Sequence, residues 1–212
     1  MINLNDFLES IDKISNHKVS LVAVSKYVGN NEILNLHTQG QIDFGENKVQ
    51  DLVKKSDDFK ELNLNWHFIG NLQTNKINAL LRTHPTLWQS CNSLNLAIAV
   101  DKRLDYTLDT LLEINIADEK SKNGANKNEA IELFHKIKQN CKNINLKGIM
   151  CMGANSDNEK LVAKSFENAY KIYSNLTKFG AEILSMGMSG DYEIAIKNGS
   201  NMIRVGSLLF AK

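Results

Sequence analysis

Residues 19–26 read VSLVAVSK. Five of the eight are apolar, three of them valines, and Gly29 with Asn30 and Asn31 closes the run. A short, β-branched, near-continuous apolar segment ended by a turn signal describes a strand buried on both faces. Such strands lie in parallel sheets covered by helices. Lys26 stands where this one stops. An amine held at the rim of an apolar strand sheds its proton more readily than one in water, and the neutral amine is the form that attacks a carbonyl. The alternative is a solvated lysine in the first loop.

The pattern extends outward from this run. Leu4, Phe7, Leu8 and Ile11 predict a helix over residues 4–14. Further strands are expected at 40–45, 66–69, 86–89, 110–116, 146–150, 182–185 and 201–205. Helical stripes separate them, such as Val49, Leu52 and Val53, then Ala130, Leu133, Phe134 and Ile137. The longest runs Val162, Phe166, Ala169, Tyr173, Leu176, with Gly180 as its C-terminal stop. Asn126-x-x-Glu129 and Ser156-x-x-Glu159 read as capping boxes, and residues 118–129 as a polar loop. Eight short strands alternating with helices predict an α/β fold, a single (β/α)8 TIM barrel over residues 1–212 with an extra N-terminal helix. An open doubly wound sheet is the alternative, weakened because no G-x-G-x-x-G follows the first strand.

Composition narrows the function classes. With 25 basic against 24 acidic side chains, the net charge of +1 offers no field for nucleic acid or an anionic membrane. No apolar run approaches a membrane span, and the first ten residues lack the pattern of a secretory leader. Cys91, Cys141 and Cys151 are odd in number and not spaced for zinc, so reduced thiols and a cytoplasmic setting are expected. The five histidines form no metal-binding pair, so no metal site is expected.

In such a barrel, chemistry sits at the C-terminal ends of the strands, and phosphate sites favour the last two loops. After strand seven the chain reads MGMSGD, where Ser189 can cap the next short helix; after strand eight Arg204-Val205 leads into Gly206-Ser207. Two hydroxyls and a glycine on adjacent turns can share one phosphate. Arg204, among apolar neighbours in NMIRVGS, needs a carboxylate, a phosphate or a ring nitrogen. Asn47 and His67 end or lie in strands two and three and could face the mouth. An isolated strand histidine is also a common hydrogen-bonded core residue.

Taken in order, AVSK at 23–26, FGEN at 44–47, HFIGNLQTNK at 67–76, SMGMS at 185–189 with Asp191, and NMIRVGSLLF at 201–210 resemble the YggS/PROSC family, the pyridoxal-phosphate homeostasis proteins. The resemblance implies a barrel like the N-terminal domain of alanine racemase, of the fold-type III class. It implies pyridoxal 5′-phosphate carried as a lysine aldimine on Lys26. It places Ser189, Gly206 and Ser207 at the phosphate, Arg204 at the pyridine nitrogen, and Asn47 and His67 among the cofactor-binding residues. Val28 departs from a second lysine that is frequent in the family, and Ser207 stands where threonine is common. Racemases of this barrel type add a β-domain and complete the site with a second subunit. An opposing base is not evident in this sequence. The expectation is therefore a non-catalytic, monomeric carrier that serves cofactor homeostasis and delivers to apo-enzymes. An amino-acid racemase-like enzyme is the alternative, and a Schiff-base aldolase a third.

Overall fold

The computed structural model describes residues 3–117 and 123–211. Its centre is a closed barrel of eight parallel strands: β1 (Ser20–Val24), β2 (Asp43–Glu46), β3 (Asn65–Phe68), β4 (Leu87–Cys91), β5 (Leu108–Asn115), β7 (Ile144–Cys151), β8 (Ile183–Ser185) and β9 (Met202–Val205). They neighbour one another in the order β4-β3-β2-β1-β9-β8-β7-β5, and pairing of β4 with β5 closes the ring. Closure excludes the open doubly wound sheet. One further strand, β6 (Ala125–Asn126), extends the end of β5 in parallel through Ile114 and Asn115. It lies in the stretch expected as loop, of which residues 118–122 fall outside the described residues.

Side chains alternate across the barrel wall, as the two-residue period of a strand requires. Leu21, Ala23, Phe44, Trp66, Phe68, Trp88, Leu112, Leu184, Ile203 and Val205 join the large outer core against the helices. Val22, Leu87, Leu111, Met150 and Met202 form a separate cluster inside the barrel. Both faces are covered, so β1, β4 and β9 are buried along nearly their whole length. This is why residues 19–24 carry no polar alternation.

The helices α1 (Leu4–Ile14), α2 (Asn30–Thr38), α3 (Val49–Asp58), α4 (Ile77–Leu81), α5 (Leu94–Asp101), α6 (Ala130–Asn140), α7 (Glu159–Leu176), α8 (Tyr192–Lys197) and α9 (Ser207–Phe210), with 3-10 turns at Thr74–Lys76 and Thr177–Phe179, complete the described elements. α1 precedes the barrel, capped by Asn3, whose Oδ1 accepts from the N–H groups of Asn5 and Asp6. It packs on α8, with the Phe7 and Tyr192 rings 5.4 Å apart. Neither expected capping box forms. α7 is capped by Asn158, which accepts from Lys160 N–H, while Ser156 accepts from Asn158 one turn earlier. Asn126 accepts from Asn128 in a turn instead of capping α6. Gly180 takes φ +91°, the left-handed stop expected of it, but it closes the 3-10 turn Thr177–Phe179 that follows α7 rather than α7 itself.

Candidate functional site

A cavity of about 720 Å3 opens at the C-terminal ends of the strands, within the range of small-molecule sites. Lys26, Asn47, Ser189, Arg204, Gly206 and Ser207 all line it, together with Glu113, Met150, Met152 and Ile69. Six of the seven residues singled out in the sequence thus converge on one space.

Lys26 follows β1 by two residues, in a turn closed by Val28 N–H donating to the Ser25 carbonyl. It is half-buried, and its ammonium lies 4.9 Å from the centre of the exposed Tyr27 ring. Among the described residues its side chain makes no ion pair. Beneath it, Glu46 and Lys55 form a buried pair at 2.7 Å. Lys55 also donates to the Ser25 carbonyl at 2.7 Å, and the Ser25 hydroxyl donates to Glu46 at 2.6 Å. This knot of charge and hydrogen bonds sits between barrel wall and α3 and pins the residue before Lys26.

The last two loops meet as expected, by a different bond. Asp191, not Ser189, occupies the cap position of α8. The Ser189 hydroxyl instead accepts from Gly206 N–H at 3.3 Å, tying the loop after β8 to the one after β9. Ser207 is exposed at the start of α9. A Cβ on Gly206 would come within 2.9 Å of the Val24 carbonyl, so only glycine lets this turn lie against the end of β1.

Arg204 is 5% exposed. Nη1 donates to the Ser185 hydroxyl at 2.7 Å and Nη2 to the Cys151 carbonyl at 3.0 Å. Among the described residues no carboxylate lies within ion-pair distance. Burial lowers its pKa from the ordinary value, opposed by Cys151, Asp191 and Glu113. A guanidinium nonetheless keeps its proton, so the cavity wall holds a cation bonded only to neutral acceptors.

His67 does not reach the cavity. It points into the barrel one layer below, 3% exposed, bonded to Asp43 and Gln89 at 3.0 Å each. The lining from β3 begins two residues later, at Ile69 and Gly70. Glu113 is the residue the sequence reading passed over. It is 5% exposed, faces the cavity from β5, and burial pushes its pKa up to about 7, with Arg204 pulling the other way. Its run, TLLEINI, signals a strand but not which face the acid takes.

The set fits pyridoxal phosphate: an amine, a fixed cation, hydroxyls and backbone N–H on two joined turns, and apolar walls. Among the described residues no cluster could hold a metal ion, and no helix is long and apolar enough to cross a membrane. The three cysteines are buried.

A family model for the alanine racemase N-terminal domain matches residues 2–212. The pyridoxal phosphate homeostasis protein of Helicobacter pylori (strain ATCC 700392 / 26695) is 46% identical over 197 residues, 92% of this chain and 88% of that protein. PipY of Synechococcus elongatus PCC7942, solved with PLP bound, superimposes with a TM-score of 0.86 at 27% identity, over 97% of this chain and 99% of that one. Alanine racemase of Clostridium difficile 630 shares the fold, with a TM-score of 0.79 at 18% identity over 99% of this chain and 56% of the racemase.

Proposed function

The chain belongs to the pyridoxal phosphate homeostasis protein family, with the alanine racemase N-terminal fold, and from that premise we propose that it is an intracellular carrier of pyridoxal 5′-phosphate. Lys26 holds the cofactor covalently, and a single barrel domain over residues 1–212 does so as a monomer. The observation that carries this reading is the pairing of Lys26 with Arg204 across one cavity, the amine without an ion pair and the cation without a carboxylate among the described residues. When bound, the cofactor supplies an aldehyde that condenses with amines and a ring that withdraws electrons.

The residues take separate tasks. Lys26 supplies the amine. Ser189, Ser207 and the backbone around Gly206 hold the phosphate on the tied loops. Arg204 donates to the ring nitrogen and, staying charged, leaves that nitrogen unprotonated. Asn47 borders the mouth beside Lys26. Delivery to apo-enzymes follows from an open mouth and a reversible bond to one lysine.

One observation favours a second reading. Glu113 is a buried acid poised near neutrality inside the cavity, as proton-transfer enzymes arrange. That would suit an amino-acid racemase-like enzyme. The two readings separate in heavy water. The carrier shows a long-wavelength absorption band with added cofactor, lost in Lys26→Ala, and leaves the α-hydrogen of L-amino acids in place by NMR. Rapid, Lys26-dependent exchange that also falls in Glu113→Gln would make it an enzyme. A band that survives in Lys26→Ala would move the attachment to another lysine.

A further inference from the structure

Below the cavity, the polar groups of the barrel interior are joined end to end. Arg204 Nη1 on β9 donates to Ser185 Oγ on β8 at 2.7 Å. Ser185 Oγ donates to Gln89 Oε1 on β4 at 2.7 Å. Gln89 Nε2 faces His67 Nδ1 on β3 at 3.0 Å, and His67 Nε2 faces Asp43 Oδ1 on β2 at 3.0 Å. Asp43 opens β2, and its side chain is 31% exposed. The chain of bonds therefore crosses the barrel from the cavity to the opposite rim.

Its direction is determined by its two ends. Arg204 can only donate, so Ser185 must accept from it and turn its own hydrogen toward Gln89. Gln89 accepts with its carbonyl and so offers its NH2 to His67 and, at 3.5 Å, to the Met202 sulfur. His67 must then accept at Nδ1 and donate from Nε2 to Asp43, which also accepts from Asn65 Nδ2 at 3.1 Å. All four bonds point the same way, from a cation to a carboxylate. Bonds aligned in that sense polarise one another in a low-dielectric interior. A reversed Gln89 amide would need a protonated Nδ1 on His67 and would leave the Ser185 hydrogen without its acceptor.

We propose that Ser185, Gln89 and His67 are positioning residues for Arg204, a one-way hydrogen-bond chain running from Arg204 to Asp43 that holds the guanidinium in place and so sets the state of the bound ring nitrogen. The role toward the ring rests on the cofactor reading above. The ionisable groups facing Arg204 are Glu113 on β5, Cys151 on β7, Asp191 before α8 and Lys26 across the cavity. Asp43 and His67 act on it only through the chain.

Two measurements test this. In protein without cofactor, histidine NMR should show His67 as the Nε2–H tautomer at neutral pH. Nδ1–H, or an imidazolium, would overturn the proposal. In protein loaded with 15N-labelled pyridoxal phosphate, the ring-nitrogen resonance of the native chain should stay at the unprotonated position from mildly alkaline to mildly acidic buffer. Ser185→Ala and His67→Leu should each make it titrate upfield, although both still load. Asp43→Ala repeats the far-end test at a partly exposed position should His67→Leu not fold. Loaded variants whose ring nitrogen behaves as in the native chain would reduce the chain to core filling and overturn the proposal. A native chain that takes up no cofactor, yet shows the expected tautomer, overturns the role toward the ring and assigns the failure to the cofactor reading.

Discussion

Glu46 on β2 and Glu113 on β5 are both almost wholly buried, 0% and 5% exposed, but the barrel wall separates their surroundings. Glu46 points outward, under α3, where Lys55 and Ser25 meet one of its oxygens; the other has no hydrogen-bond partner among the described residues. Glu113 points inward to the cavity, with Arg204 near but outside ion-pair distance. One carboxylate is compensated by the protein itself and serves the turn before Lys26. The other is left uncompensated, its pKa raised to about 7. Burial alone does not set a carboxylate's protonation; what differs is whether a cation lies within ion-pair distance, as Lys55 does for Glu46 and none does for Glu113 among the described residues.

The contrast breaks most sharply at Lys55. Lys55→Met leaves Glu46 a buried acid with no cation, and should cost about 3–5 kcal/mol in urea unfolding. Glu46→Leu combined with Lys55→Met should restore most of that loss, because an apolar pair avoids the desolvation of both charges. A loss in the double variant as large as in the single one would show that the pair is irreplaceable for the turn and not merely self-compensating.

Glu113 should show itself through pH. Its native pKa of about 7 lies above the ordinary 4.5, so the native state binds more protons than the unfolded chain between those values. Stability from this group is full below about 4.5 and falls as pH rises to about 7, by about 3 kcal/mol in all. Glu113→Gln cannot ionise. The difference in unfolding free energy between native chain and variant should therefore move by that amount across the window, in favour of the variant at higher pH. A difference that stays flat would place the acid in water rather than in the wall.

The smallest expected effect lies on the two loops proposed to hold the phosphate, where neither glutamate takes part. On the proposed phosphate site, Ser207→Ala should remove one hydrogen bond to a charged group, worth about 1.5–3 kcal/mol. The preference for pyridoxal phosphate over pyridoxal should shrink accordingly, measured by titrating both vitamers. An unchanged preference would take Ser207 out of the phosphate site.

Much of the molecule was legible in the residues. Strand and helix positions follow from local periods of apolar side chains, so the eight strands and the helix at Leu4–Ile14 could be read directly. Lys26 and the Ser189, Gly206 and Ser207 loops could be placed because barrel geometry carries all strand ends to one rim. The short pairing at Ala125–Asn126 had no apolar signal and escaped. Ser156 and Asn126 matched the capping pattern, but where each helix begins was decided by the turn before it.

Residues inside the barrel were the harder part. Whether Glu113 or His67 faces in or out, and how far along the axis it sits, depends on the stagger between strands distant in sequence. β4 lies far from β8 along the chain, yet Gln89 and Ser185 bond across the interior. The sequence by itself determined the element order, the lysine at the end of β1 and the two loops that follow β8 and β9, because these depend on local pattern and on motifs. Only the tertiary structure decided that His67 stops one layer short of the cavity, that Glu113 enters it, and that Arg204 has neutral partners. Barrel closure and register set those distances, and no stretch of chain shorter than the whole ring contains them.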